Sequence, residues 1–323
     1  MYCAGPPVSG NCTAPLRVSG TWRRAFNGSS ESARDPAFRA YLTDLVRPFR
    51  LSLREDLLDQ GSGQCYSEMA GALLADTVPA RQPVDLLVLA FAVSDVMPGL
   101  SSASYLSYLC PGNPLAFAVC DQGSAAPFTG LRLISDYARA GGGLQAILVV
   151  VEQAALHHDL PAAAAVPTKN AAVTLLCGES GPGRLDAVRQ HAGVAPAQAG
   201  GLLARELADL SDGRDDVTLV VGAGLSGPYG EGQPGTMATS PSGVPIGIPA
   251  TSQVLTAPAG QPCTGVWWEF AGGLPGWTAR GRRVLLADYD PLLGNLFLSA
   301  IDIEASCAGS VPPSAAPPAG LPR

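Results

Sequence analysis

The chain has 323 residues, 47% of them hydrophobic and 15% charged, with Lys+Arg 20 against Asp+Glu 27 and a formal net charge of -7. That much apolar material excludes disorder as the main state and suffices for two domains or one large duplicated unit. The acidic balance excludes a polyanion-neutralising surface, so no nucleic-acid partner is expected, and runs such as Val84–Val93 and Ala146–Val151 fall well short of the roughly 20 residues that cross a bilayer, so no membrane segment is expected.

Met1–Gly10 has neither a basic stretch nor an apolar core of signal-peptide length, which makes the cytoplasm the expected location. Eight scattered cysteines (Cys3, Cys12, Cys65, Cys110, Cys120, Cys177, Cys263, Cys307) form no CxxC pair and read as buried free thiols. No metal site or cofactor is expected. A single lysine, Lys169, among many Arg, Ala, Gly and Pro points to a GC-rich bacterial genome.

Met1–Ser32, rich in Gly, Pro and Ser, is predicted to be an irregular arm. From Asp35 to Asp59 the three- and four-residue spacing of Phe38, Tyr41, Leu42, Leu45, Val46 and Phe49 predicts an amphipathic helix. Gln64–Val78 repeats the device and is stopped by Pro79. Val84–Val93 and Leu115–Val119 read as strands buried on both faces. Ala125–Ala140 is helical by period and closed by Gly141–Gly143, and Ile147–Val151 is a third strand. In the second half Asn170–Leu176 and Val217–Val221 read as strands. Arg184–Ala192 and Gln198–Leu210 read as helices. Gly222–Gly247 reads as irregular, Arg283–Ala287 and Phe297–Ile303 as the last strands, and the tail beyond Cys307 as disordered.

The two halves resemble each other. Pairing Val84 with Val217, and Ile147 with Val284, gives two similar offsets for two distinct strands, as expected if one α/β unit is used twice. The expected organisation is an arm over 1–32, one half over 33–165, a second over 166–308 and a tail over 309–323.

One segment carries chemistry. In Leu115-Ala116-Phe117-Ala118-Val119-Cys120-Asp121-Gln122-Gly123-Ser124 a strand runs into a tight turn at Gly123, and a helix opens with Pro127 in its first turn. Ser124 therefore stands at a strand-to-helix corner, where unpaired N–H groups and the helix dipole favour a developing anion. The same position suits a helix N-cap, and the residues alone leave both readings open.

The order and spacing of these segments resemble a ketoacyl synthase III of the thiolase superfamily over most of Cys65–Ala305. Val84–Val93 with Ser94, Asp95 and Pro98 is similar to the family's strand and thioester-pocket loop. Asn113–Leu131 is similar to its nucleophile turn, Leu144–Ala154 to the following strand, and Gly281–Ile303 to its closing hairpin. The resemblance implies a thiolase-like α/β fold of two similar halves in a layered sandwich, acting as a homodimer or heterodimer on acyl-CoA or acyl carrier protein thioesters. It also implies a cysteine nucleophile, a histidine and an asparagine. Ser124 falls where the cysteine should be, beside Gly123. Gly222-Ala223-Gly224 stands where the histidine should be, and Glu269–Gly273, assigned to the asparagine's place, has none. Cys120 reads as a packed thiol and Asn295 as structural. Condensation is therefore not expected. The expected function is an acyltransferase of secondary metabolism with the acyl group on Ser124 and an oxyanion site at the backbone of Ser124 and of Gly222–Gly224. Asp121, Glu152, His157 and His158 are the candidate bases. His191 reads as an exposed helix residue. The alternative is a catalytically silent partner of an active synthase. Trp267, Trp268 and Trp277 read either as core or as the wall of an acyl tunnel.

Overall fold

The computed structural model describes residues 15–27, 31–78, 82–97, 99–141, 143–159, 166–226 and 245–305. They form one mixed sheet of ten strands: β1 (Arg17–Phe26), β2 (Leu86–Ala90), β3 (Leu115–Val119), β4 (Ala146–Glu152), β5 (Asn170–Gly178), β6 (Gly183–His191), β7 (Val217–Val221), β8 (Gln253–Thr256), β9 (Arg282–Asp290) and β10 (Asn295–Ile303). Their order is β3-β2-β4-β5-β1-β6-β10-β9-β7-β8. Followed inward from each end, this is one pattern used twice. β2 lies parallel between β3 and β4, then β5 and β1 follow antiparallel; β7, β8, β9, β10 and β6 repeat it strand for strand. The two copies join where Arg17 and Val18 of β1 pair with Arg184 and Gly183 of β6.

Among the described residues eight helices accompany the strands: α1 (Pro36–Val46), α2 (Glu55–Gln60), α3 (Tyr66–Thr77), α4 (Ser102–Leu109), α5 (Ala126–Gly141), α6 (Pro196–Ser211), the single turn α7 (Ala223–Ser226) and α8 (Gly265–Trp277). α5 and α8 are equivalent in the two copies and fill one central layer. Phe128, Leu131 and Ile134 of α5 pack there with Trp267, Phe270 and Leu274 of α8, between Leu86, Val88, Leu148 and Val150 on one side and Val220, Val284 and Leu286 on the other. Each such buried side chain contributes about 1.5–3 kcal/mol. The outer faces are covered by α3 and α4 in the first copy and by α6 in the second. The layers therefore run helix, sheet, helix, sheet, helix.

The expected α/β sandwich of two similar halves is present, but its details differ. The first 32 residues are not all irregular: β1 sits in the middle of the sheet, held by β5 along its length. β5 lies between β4 and β1, on the first copy's side of the β1–β6 junction. The helix expected over Asp35–Asp59 is broken. Asp35 caps α1 by accepting from Ala37 N at 2.9 Å, Pro48 interrupts the repeat, and Arg50 turns left-handed at φ 55 before α2 begins. Arg184–His191 is strand β6 and not a helix. β3 is an edge strand with Leu115 54% exposed, so it is not buried on both faces. Among the described residues no helix is long and apolar enough to cross a membrane. The expectations for most of Gly222–Gly247 and for the tail fall outside the described residues.

The duplication is real in topology, but the pairing expected from sequence is out of register. Matching residues that face the central layer sets Val88 and Leu148 against Val220 and Leu286. The pairs chosen from sequence are each one residue off. Ile147 packs under α3 whereas Val284 faces the centre, because a one-residue shift moves a strand side chain to the other face. In the corrected register Glu152 at the end of β4 matches Asp290 at the end of β9.

Candidate active site

β3 ends in a turn where Asp121 (φ 59) and Gly123 (φ 54) both adopt left-handed backbone, and Gly123–Ala125 form a 3-10 turn that opens α5. A side chain at Gly123 would be strained by that φ and would run into the Asp290 carboxylate, so glycine is required there twice over. Ser124 is 7% exposed. Its N–H donates to Asp290 Oδ2 at 3.3 Å. Its hydroxyl makes no hydrogen bond of good geometry, yet it lies close enough to the Asp288 carboxylate to favour the anion there.

Asp288 does not stand out in the sequence. It is 2% exposed, on the inward face of β9. Its Oδ1 accepts from Tyr289 N at 2.8 Å and from Gly224 N at 3.2 Å. Burial pushes its carboxyl up to about 7, against the pull of these donors. The Gly222-Ala223-Gly224 turn after β7 is shaped around this group. A β-carbon at Gly222 would collide with the Asp288 carboxyl, and one at Gly224 with the Tyr289 carbonyl oxygen. The space in which the family's histidine is expected is therefore filled by Asp288 and the β9 backbone.

The oxyanion site expected from sequence is altered for the same reason. Ser124 N–H points at Asp290, Gly224 N–H at Asp288, and Gly222 N–H donates to Ala287 O at 2.7 Å. Each donor already serves an oxygen of this chain.

The second copy carries a mirror of the corner. There the β8–α8 connection, 257–264, takes the place of the Ser124 turn, and Glu152 takes the place of Asp290. Glu152 accepts from Cys263 N and Thr264 Oγ1. It is 1% exposed, and burial pushes it up to about 7. Each copy thus ends β4 or β9 in a carboxylate that holds the first turn of the other copy's central helix. Glu152 is a clamp on α8 and is not paired with Ser124. Glu269–Gly273 lies inside α8, and the corner that mirrors Ser124 holds Gln261, Cys263 and Thr264.

The remaining candidates disperse. Asp121 is exposed and its carboxylate takes a 3.4 Å contact from Cys120 Sγ. His157 is buried at 2% exposure: its Nε2 contacts Ser62 O at 2.6 Å, its ring meets Phe38 edge-on, and burial lowers its pKa. His158 bridges to Leu53. His191 is on β6, 3.2 Å from Glu206. Asn295 opens β10 after Gly294 (φ 62). Cys65, Cys110, Cys177 and Cys263 are buried free thiols and Cys120 is half-buried, whereas Cys3, Cys12 and Cys307 lie outside the described residues. Trp267 is fully buried against Phe128 at 5.0 Å, Trp268 lies under the Arg23 guanidinium at 5.0 Å, and Trp277 packs on Phe270.

Ser94 and Asp95 line two cavities. One of about 350 Å³ lies between α3, α4 and β3 and reaches Cys120 and Asp121 in the turn that carries Ser124. The other, about 250 Å³ and mostly apolar, lies under α1 beside His157. Asp95 itself is fully engaged, accepting from Tyr66 N, Met97 N and Ser102 Oγ. Pro98 is outside the described residues.

Duplicated halves, a central pair of helices and a strand-to-helix corner at their junction define a thiolase-like fold, and solved structures agree. The chain superposes on ChlB3, described as an acyltransferase, at 15% identity and TM-score 0.57, over 90% of this chain and 98% of that one. It also superposes on AbyA1, a tetronic acid condensing enzyme, at 15% identity and TM-score 0.55, over 90% and 100%. 3-Oxoacyl-(acyl carrier protein) synthase III, FabH, from Pseudomonas aeruginosa PAO1 matches at 16% identity and TM-score 0.53, over 90% and 99%. The architecture is thus the thiolase-like one that these structures share. Comparison with protein-family models and with curated proteins finds no match.

Proposed function

We propose that the protein is a ketoacyl-synthase-III-like acyltransferase that takes an acyl group from a CoA or carrier-protein thioester onto Ser124 and passes it to an acceptor in a bacterial secondary-metabolite pathway. The observation that carries this reading is the Ser124 hydroxyl itself: it is buried where the first half's helix corner meets Asp290 of the second half, and it has no hydrogen-bond partner among the described residues. A helix N-cap would have its oxygen on a backbone N–H, and this one does not. Condensation is not part of the proposal, because the described residues around Ser124 include no group that would stabilise an enolate, and Gly222 and Gly224 leave no room for a histidine. Support by analogy comes from ChlB3, an acyltransferase, and from an OleA variant of Xanthomonas campestris with serine in place of a cysteine, solved with bound lauric acid and lauroyl-CoA.

A second reading, a silent partner of an active synthase, is favoured by one specific observation. The N–H groups of Ser124 and Gly224 donate to carboxylates, where an acyl oxyanion would need them. Incubation with a panel of acyl-CoA and acyl-carrier thioesters, followed by intact-mass and peptide analysis, separates the two. The acyltransferase reading expects a Ser124-linked adduct that Ser124→Ala abolishes. No adduct, together with stable co-purification with a cysteine-bearing synthase, replaces it with the partner reading.

A further inference from the structure

We infer that Asp288 is the general base that activates Ser124, a carboxyl from the second half standing in for the histidine that the resemblance implies after β7. The inference rests on the acyltransferase reading and adds to it the identity of the base. Three geometric facts carry it. The Ser124 hydroxyl is buried with no hydrogen-bond partner among the described residues, and the N–H of the same residue is held at 3.3 Å by Asp290, two residues along β9 from Asp288. A side chain at Gly222 would displace Asp288 from this place, and one at Gly224 would crowd its Oδ1 at 3.0 Å. And Oδ1 is fixed by Tyr289 N and Gly224 N, which leaves the carboxyl unable to swing away.

In the step proposed, the Ser124 Oγ–H bond breaks and its proton passes to the Asp288 carboxylate while Oγ adds to the thioester carbonyl. The carbonyl–sulfur bond then breaks, and the proton moves from Asp288 to the departing thiolate. Serine ester and free thiol are the products, and the carboxylate is regenerated. No oxidant, metal or further reactant is required. A base of this kind works best when its pKa lies near the working pH, and burial holds Asp288 up to about 7. The groups facing it are the Ser124 hydroxyl from the α5 corner, the Cys263 thiol from the α8 corner, and Asp290 on its own strand. The β7 turn contributes only backbone. Burial pushes Cys263 well above the ordinary thiol range, so it stays neutral across the pH interval of interest, whereas Asp290 adds a negative charge that keeps Asp288 basic.

The test uses a serine-directed fluorophosphonate on the full chain, scored by peptide mapping at Ser124, alongside acylation by octanoyl-CoA. Wild type should label at Ser124 with a rate that rises through an inflection near pH 7. Asp288→Asn should slow labelling by about 10²–10⁴-fold and remove the inflection. Asp288→Glu should recover part of the rate with an inflection of its own. Glu152→Gln makes the same carboxyl-to-amide change in an equally buried group at the mirrored corner and should leave labelling within about threefold. If Ser124 labels equally fast in Asp288→Asn, or never labels in wild type, Asp288 is not its base. If Ser124 labels in an Asp288-dependent way but takes no acyl group from any thioester, the base assignment stands and the acyltransferase reading fails.

Discussion

A carboxyl group stripped of water is more stable neutral than charged, and the fold holds two such groups at matched depth in its central region. Asp288 and Glu152, ordinarily near 3.8 and 4.5, are each pushed up to about 7 by burial. The unfolded chain loses these protons near pH 4 and the folded chain only near pH 7. Between those limits the folded state binds more protons, so stability falls as pH rises. A tenfold difference in proton affinity between the two states is worth about 1.4 kcal/mol, which makes each group a liability of up to a few kcal/mol at pH 7.5 relative to pH 4. Thermal melts at pH 5 and pH 7.5 should therefore show the wild type more stable at the lower pH. The double variant Asp288→Asn with Glu152→Gln should lose most of that difference, since an amide is neutral at both. An unchanged pH dependence in the double variant would mean the two carboxyls are already ionised in the fold. At this scale the sequence is informative where the signal is local. Gly123 and Ser124 stand out because turn, glycine and helix start are contiguous. Asp288 does not, because nothing nearby in sequence separates it from any acidic residue at a strand end. Only the chain's return from the second half brings it to Ser124.

Elements with continuous apolar runs are the legible ones: β2, β4, β7 and β9 are buried along nearly all their length and are read correctly from sequence. β1 and β6 are missed because each carries arginines and polar residues, tolerated where strand pairing from both sides supplies the stabilisation. α8 is missed for the opposite reason. It holds Gly272, Gly273 and Pro275 and is apolar nearly all round, so no helical stripe appears although the segment is the core of the second half. β6, α6, β9 and β10 are tied together at one end by charge. Arg283, 5% exposed on its side chain, donates to Asp302 at 2.8 Å, to Asp186 at 2.6 Å and to the Leu210 carbonyl at the end of α6, while Arg184 and Arg214 also reach Asp302. Removing Asp302 leaves a buried guanidinium underpaired. Asp302→Ala should cost about 1.5–3 kcal/mol in urea unfolding, since Arg283 keeps Asp186 and the Leu210 carbonyl, and Asp302→Asn less, because the amide oxygen still accepts. Equal, small effects of both would show that the network contributes little beyond its exposed rim.

At the scale of the molecule, duplication explains where the candidate site lies and also leaves a surface unfinished. Each copy ends its sheet in a short edge strand, β3 in one and β8 in the other. β8 has polar Gln253 and Thr256 at its two ends. β3 is flanked by exposed apolar groups: Leu115 is 54% exposed, and α4, which packs beside it through the Ser107 hydroxyl on the Pro114 carbonyl at 2.7 Å, presents Tyr105 and Tyr108 at 50% and 79%. An edge with an apolar border and no strand beside it among the described residues is a template for another strand. Its simplest symmetric partner is the same edge of a second chain, related by a two-fold axis so that each copy contacts its own equivalent. That arrangement sets the β3 turn, and with it Cys120, Asp121 and the cavity they line, close to the neighbouring subunit. We therefore expect the chain to run at twice its 33.0 kDa mass in sedimentation at tens of micromolar. Tyr108→Glu combined with Leu115→Glu should reduce it to a single chain with its melting temperature nearly unchanged, since neither side chain belongs to a core. A wild type that sediments as one chain, or a charged variant that still pairs, assigns this edge to another partner.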